Sequence, residues 1–252
     1  MSSRTSSPTS VLALRLAGPL QSWGASSRFT RRTTESAPTK SGVIGLLAAA
    51  AGIERGEDAR LAALATLRFG VRIDQPGTRI RDFHTAHHGI TGKSMPLSER
   101  FYLADAVFVA AVEGDRTLLA ELYAALQAPV YPPFLGRRSC PPAERVELGL
   151  HESTCLEDVL ENLPWQASGW YRRRHRGQAP DRLTVLREKA ADETGATDVL
   201  RDQPLSFSAA HRRHALRTVV TAHVPLPPNP KIGALQHDPF EAVPEVPEDE
   251  SA

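Results

Sequence analysis

The sequence predicts an α+β fold with a ferredoxin-like, RRM-like β-α-β-β-α-β core, an insertion between the second and third strands, and a small β-rich C-terminal part. Three observations carry this. Leu12, Leu14 and Leu16 alternate along one short segment, while Ala106–Val112 is a nearly continuous apolar run. Val43, Leu46, Leu47 and Ala50 recur at helical spacing, as do Leu118, Leu119, Leu122, Tyr123 and Leu126. The order of these periods along the chain is the ferredoxin-like one.

Taken in order, the first strand runs over Val11–Leu16 and stops at Gly18-Pro19. The first helix follows at about Lys40–Ala51, with Thr39 as its cap and Gly52 at its end. Its apolar stripe should face a sheet. A second helical run lies near Ala59–Leu67, and Phe69, Val71 and Ile73 alternate with Arg68, Gly70 and Arg72 to give the second strand. Gln75-Pro76-Gly77 is a turn signal, and from there to Leu103 no periodicity is sustained. An insertion of that length is a mobile loop or a projecting hairpin, and such segments tend to be functional. Ala106–Val112 reads as a central strand buried on both faces, followed by the second core helix and, after a proline-rich loop, a fourth strand at Val146–Leu150. Thr154 and Glu157 suggest a capping box for a short helix to Leu163. Strands are expected at Leu183–Leu186 and Leu216–Val224, and the proline- and acid-rich end should be disordered. The parts are then a core at 10–150 with 75–103 inserted, a β-rich extension at 151–230, and an acidic tail at 231–252.

An apolar content of 41% in 252 residues is ample for a buried core. No run approaches the roughly 20 apolar residues that span a bilayer, and Met1–Ser10 lacks the apolar stretch of a signal peptide. A cytoplasmic location is expected. Cys140 and Cys155 have no partners at metal-ligand spacing, so reduced structural thiols are expected. The net charge of +1 hides an asymmetry, because the last thirteen residues hold five acids and no base. Met1–Ala50 has six bases and one acid, and Gln166–Lys189 has seven bases and two acids. Such clustering points weakly to a polyanionic partner, and solvated surface explains it equally well.

The stretch Gln21–Ile53 concentrates the chemistry. Arg28, Arg31, Arg32, Lys40 and Ser41 stand against a single acid, Glu35, beside the free N–H groups and positive dipole end of the first helix. That is a place for phosphate, with a capped core helix after a solvated loop as the competing reading. In LGRRSCPP, Arg137 and Arg138 follow a flexible glycine in a proline-bounded loop, which suits bidentate phosphate contacts. His84, His87 and His88 with Lys93 and Tyr102 supply the residue types for metal-free RNA cleavage: a base for the 2′-OH, a cation for the phosphorane and an acid for the leaving oxygen. Arg81, His84 and Lys93 could equally hold backbone phosphates on a projecting arm. TGKS at Thr91–Ser94 lacks the first glycine of a P-loop, where His87 stands, and HESTC at His151–Cys155 lacks the final histidine of H-E-x-x-H. No cofactor or metal is expected. RFGVRID does not match the RRM aromatic signature, so RNA should be held by loops and the inserted arm rather than by stacking on the sheet.

The stretches LRLAGPLQSWG, PTKSGVIGLLAAAAGI, RDFHTA, YPPFLGRRSCPP and RDQPLSF, in this order, resemble the CasD family, the subtype E Cascade subunits of CRISPR systems within the RAMP superfamily. The resemblance covers roughly Val11–Val224. It implies a non-catalytic subunit that caps the 5′ handle of the mature CRISPR guide RNA and joins the large subunit CasA to the end of the CasC filament. Target DNA would be met only through the complex, and no membrane is involved. A protruding thumb hairpin, mapped onto Gln75–Leu103, would press on the guide. Carried over by motif, Gln21, Ser22, Trp23, Lys40, Ser41, Arg137, Arg138 and Ser139 would bind the handle, with Arg81 and His84 at the thumb. Arg31 joins them from the basic loop before the helix. A related subtype C subfamily cuts repeat RNA, which gives a metal-independent endoribonuclease as the alternative. A structural adaptor whose basic loops meet acidic protein surfaces is a third reading.

Overall fold

The computed structural model describes residues 9–24, 31–175, 178–190 and 193–227. Its strands in chain order are β1 (Thr9–Ala17), β2 (Leu20–Gln21) and β3 (Arg31–Arg32), followed by helices α1 (Lys40–Ala50) and α2 (Asp58–Ala65). Then come β4 (Arg68–Gln75), β5 (Thr78–His84), β6 (Ser98–Ala104), β7 (Val107–Asp115) and α3 (Arg116–Gln127). The C-terminal third holds β8 (Glu147–Glu152), α4 (Leu156–Asn162), α5 (Gly169–Arg174), β9 (Arg182–Glu188), β10 (Asp198–Ser206) and β11 (Arg213–Pro225).

A seven-stranded antiparallel sheet runs in the order β10-β11-β9-β4-β7-β1-β8. The strands of the C-terminal part therefore continue the central sheet from its β4 edge. β10 was not legible as a strand, because its alternation is broken by Pro204 and by two register shifts against β11.

Alternation along β1 sends its side chains into two different cores. Leu12, Leu14 and Leu16 pack with Phe69, Phe108, Leu119 and the α1 residues Val43, Ile44 and Leu47, whereas Val11 and Ala13 pack with Val109, Leu156 and Leu160. Each of the large aliphatic side chains buried this way contributes roughly 1.5–3 kcal/mol of transfer free energy. One face of the sheet is thus covered by α1 and α3, and the other by α4. The side-chain hydroxyl of Thr39 accepts the Gly42 N–H, so the expected cap of α1 is in place. The capping box expected at Thr154 and Glu157 is not: α4 begins after Cys155 without a side-chain cap, and Glu157 is drawn away to Arg68.

The insertion is a hairpin. β5 and β6 pair from Thr78↔Ala104 to His84↔Ser98, and β2 and β3 add to β6 to complete a second, four-stranded sheet. A Cβ on Gly77, at φ +70°, would meet the Ala104 carbonyl oxygen at 2.5 Å, so the turn into the hairpin requires glycine there. The tail at 231–252 and Arg28 lie outside the described residues. Among the described residues, no helix is long and apolar enough to cross a membrane.

Candidate nucleic-acid interface

The Gln21-Ser22-Trp23 segment is a fastener. The Gln21 amide donates to the carbonyls of Leu16 (2.9 Å) and Ala106 (2.8 Å), tying the end of β1 to the start of β7. The Trp23 indole N–H donates to Gln21 Oε1 at 3.0 Å, its ring lies over Gly42 at the start of α1, and its backbone N–H donates to the Thr34 hydroxyl at 2.9 Å. The Ser22 hydroxyl donates to the Phe101 carbonyl (3.0 Å) and its backbone N–H to the Leu135 carbonyl (3.1 Å). All three side chains are buried, with Gln21 and Trp23 at 0% exposure. They position the surrounding segments and present no polar group outward.

Lys40 and Ser41 are likewise buried, and this corrects the expectation of an open phosphate site at the helix mouth. The Lys40 backbone N–H donates to Asp202 Oδ2 at 2.8 Å, and Asp202 is itself gripped by Arg217 at 2.6 and 2.9 Å. The Lys40 ammonium meets Glu188 at 2.9 Å, with only 3% of its side chain exposed. Burial lowers the Lys40 pKa, opposed by the Glu188 carboxylate. The helix dipole has attracted an anion, but the anion comes from β10 of the same chain.

The LGRRSC loop leads outward from the fastener. Its ends close on each other, Leu135 N–H donating to the Cys140 carbonyl (2.7 Å) and Cys140 N–H to the Arg137 carbonyl (2.9 Å), with Leu135 and Cys140 buried. Gly136 sits at φ +84°, and a Cβ there would stand 1.9 Å from the Ser22 carbonyl oxygen. This closure pushes Arg138 and Ser139 into solvent. Arg137 is half-buried, its guanidinium 4.7 Å from the Tyr102 ring centroid and its Nη2 donating to the Arg32 carbonyl at 2.9 Å. Its Nη1 is buried and reaches no acceptor among the described residues. Burial raises the Cys140 thiol, which keeps it protonated and inert.

The hairpin supplies the rest. Arg31 and Arg79 lie 5.4 and 5.7 Å from the Phe101 ring, and Arg79 also donates to the Thr34 carbonyl. Arg81 stacks 4.8 Å from Phe83. Glu99 is the acid among them, 3.9 Å from Arg31 and 3.6 Å from Arg81. Strand register puts Arg81 opposite Phe101 and His84 opposite Ser98, so these two thumb residues project from opposite faces and do not form one site. Arg79 and Phe101 belong to this constellation and were not singled out from sequence. The usable signal was the alternation Arg79, Arg81, Phe83 on one face, hidden inside a stretch with no apolar period.

Arg31, Arg79 and Arg81, drawn from β3 and β5, therefore gather with Glu99 around Phe101 on one face of the hairpin sheet, while Arg137 stacks on Tyr102 on the other face and holds the Arg32 carbonyl. His87, His88 and Lys93 sit at the hairpin tip, where His88 N–H donates to the Lys93 carbonyl (2.9 Å). Among the described residues, no group of three or more His, Cys, Asp or Glu side chains is placed to hold a metal.

A family model described as "CRISPR-associated protein (Cas_Cas5)" matches residues 11–220. "CRISPR system Cascade subunit CasD" of Escherichia coli (strain K12) is 36% identical over 171 residues, which cover 61% of this chain and 76% of that protein. A solved structure described as "Crystal structure of Cas protein" superposes with a TM-score of 0.67 at 38% identity, covering 87% of this chain and 99% of that one. A chain of a "CRISPR RNA-guided surveillance complex" also gives a TM-score of 0.67, at 32% identity, covering 88% of this chain and 95% of that one. With a family model spanning most of its length and relatives of this similarity, the chain belongs to the Cas_Cas5 family of CRISPR-associated proteins, alongside the Cascade subunit CasD.

Proposed function

We propose that the protein is a non-catalytic subunit of a cytoplasmic Cascade surveillance complex that holds the 5′ handle of the CRISPR guide RNA, joins a CasA-type large subunit to a CasC-type filament, and meets target DNA only through the assembly. The observation that carries the reading is the half-buried Arg137, stacked on Tyr102 with one guanidinium nitrogen unpartnered among the described residues, with Arg31 and Arg81 on the opposite face of the same hairpin balanced by a single glutamate. Planar forks beside aromatic rings suit phosphate and flipped bases of a single strand. Gln21, Ser22, Trp23, Lys40 and Ser41 serve this site by positioning it, Arg31 and Arg81 touch RNA on the Phe101 face of the hairpin, and Arg137, Arg138 and Ser139 touch it beside Tyr102, on the face that His84 shares.

We read β1, β4, β7 and β8, in spatial order 4-1-3-2, as the ferredoxin-like core of residues 10–150, β5–β6 as the thumb, and residues 151–230 as its β-rich extension. The cover of α4 over one sheet face supports loop and thumb contacts in place of stacking across the sheet. A nuclease is not favoured. His84 and Tyr102 lie on the hairpin four residues apart along the strand direction, about 14 Å at ~3.4 Å per residue, and cleavage needs its acid and base within hydrogen-bond reach of one phosphate.

The test is binding of a synthetic handle RNA by the purified protein. Arg137→Gln with Arg138→Gln should weaken it and lower the salt slope by about 1.4, at ~0.7 for each single-strand phosphate that is no longer neutralised. Unchanged affinity and slope would sink the assignment. Site-specific cleavage of repeat RNA in EDTA, abolished by His84→Ala, would replace it with the endoribonuclease reading.

A further inference from the structure

The basic run between Gln166 and Lys189 is not absorbed by the site above. We infer that the arginine-rich helix α5, with the strand start beside it, is a second contact for single-stranded nucleic acid, continuing the proposed guide interface across the root of the hairpin. It rests on the guide reading only for where that strand comes from.

Three observations converge. The first is charge. Of the seven bases in this run, Arg187 is engaged by Glu157 and Glu193, and one of the two acids, Glu188, is taken by Lys40. Arg173, Arg174 and Arg182 are left exposed and, among the described residues, enter no ion pair. Arg173 and Arg174 stand in the last turn of α5, where a cation suits the helix dipole, but Arg182 begins β9 and the dipole does not account for it.

The second is an aromatic row. Buried Trp165 donates its indole N–H to the Asp74 carbonyl at 2.9 Å, and Tyr171 packs edge-on against it at 6.3 Å. Trp170 stands edge-on to Tyr171 at 5.7 Å and is 41% exposed, while His175 stacks on Tyr171 at 4.1 Å. Trp170 is the outer member of a row with a fixed base, presented beside exposed guanidinium groups. A held ring next to cations is what a single strand uses for stacking and backbone contact.

The third is position. Ser168, which caps α5, is held through its N–H (3.1 Å) and hydroxyl (2.9 Å) by Gln75 Oε1, and the Gln75 amide donates to the Asp105 carbonyl. The next carbonyl, that of Ala106, accepts from Gln21. The two basic groups therefore flank one hairpin root, and a strand lying on the first is led toward the second.

The experiment measures fluorescence anisotropy of labelled U12 and dT12 with the full chain across a salt series. Arg173→Gln with Arg174→Gln should lower the salt slope by about 1.4. Trp170→Ala should weaken binding roughly tenfold while Trp170→Phe retains it. In the unmutated protein, the oligonucleotide should quench part of the tryptophan emission, a reading that does not depend on the variants folding, and in Trp170→Phe that quenched component should be missing. Equal losses for both strands mark a general single-strand contact, losses for U12 alone mark the guide, and losses for dT12 alone mark a DNA strand. Unchanged slopes with no quenching overturn the inference, as does failed assembly with partner proteins at unchanged oligonucleotide binding, which assigns the patch to a protein surface. If only the Arg137/Arg138 pair matters, this contact falls and the guide reading stands. If only the α5 variants matter, the reverse holds.

Discussion

Arg72 and Asp74, two residues apart on β4 and so on the same face, form an ion pair sealed from solvent. Nε lies 2.7 Å from Oδ1 and Nη2 3.0 Å from Oδ2, with both side chains at 0% exposure. The remaining guanidinium hydrogens go to the carbonyls of Leu160, Leu163 and Pro164, and Asp74 accepts from the Gln166 N–H at 2.6 Å. The pair stitches the chain after α4 to the underside of the sheet, next to the segment that presents α5.

Removing one partner leaves the other charge buried and uncompensated, at a cost of about 3–5 kcal/mol. Arg72→Met is expected to lower the urea midpoint accordingly, and Arg72→Met with Asp74→Asn to recover part of the loss. A single-variant effect under about 1 kcal/mol would show that the pair is not what holds the segment.

Glu157 sets an acid limit. Burial pushes its carboxyl up, but Arg68 and Arg187 outweigh this and hold it below its usual range. A folded-state pKa below the unfolded value means stabilisation that is complete above about pH 4.3 and lost as pH falls through the folded pKa. Glu157→Gln should therefore flatten the fall in melting temperature below pH 4.3 and leave the sign of the slope near neutrality unchanged. Identical acid profiles for the two proteins would refute this.

Lys40 separates architecture from binding. Lys40→Met strips the cation from Glu188, whose other cation, Arg217, is 3.9 Å away. We expect a stability loss of about 3 kcal/mol with the RNA salt slope unchanged. A slope reduced by about 0.7 with unchanged stability would return Lys40 to the binding surface.

Gly136→Ala probes the seat of the LGRR loop. At φ +84°, with Ser22 O at 1.9 Å from the added Cβ, the loop must shift and carry Arg137 off Tyr102. A destabilisation of about 1–3 kcal/mol is expected for the strained backbone. Weaker handle RNA binding should accompany it, and normal binding would mean that the loop position is not needed.

The sequence by itself determined β1, α1, β4, β7, α3 and their order, because each carries a single uninterrupted period of apolar residues that only one kind of element can bury. It also supplied Thr39 as a cap and the LGRR loop as basic. Tertiary structure decided the rest. Two-residue strands such as β2 and β3 have no period to read, and the hairpin alternates arginine with isoleucine and aspartate, so its order comes from pairing and not from burial. Lys40 looked like a phosphate ligand because a helix start attracts anions, and local sequence does not say that Asp202, 162 residues on, fills the place. The placing of Arg31, Arg79 and Arg137 could not be read from spacing either, since the sheet register sets Arg31 and Arg79 on Phe101, and the closure of Gly136 onto Ser22 sets Arg137 on Tyr102 at the opposite face of the same strand.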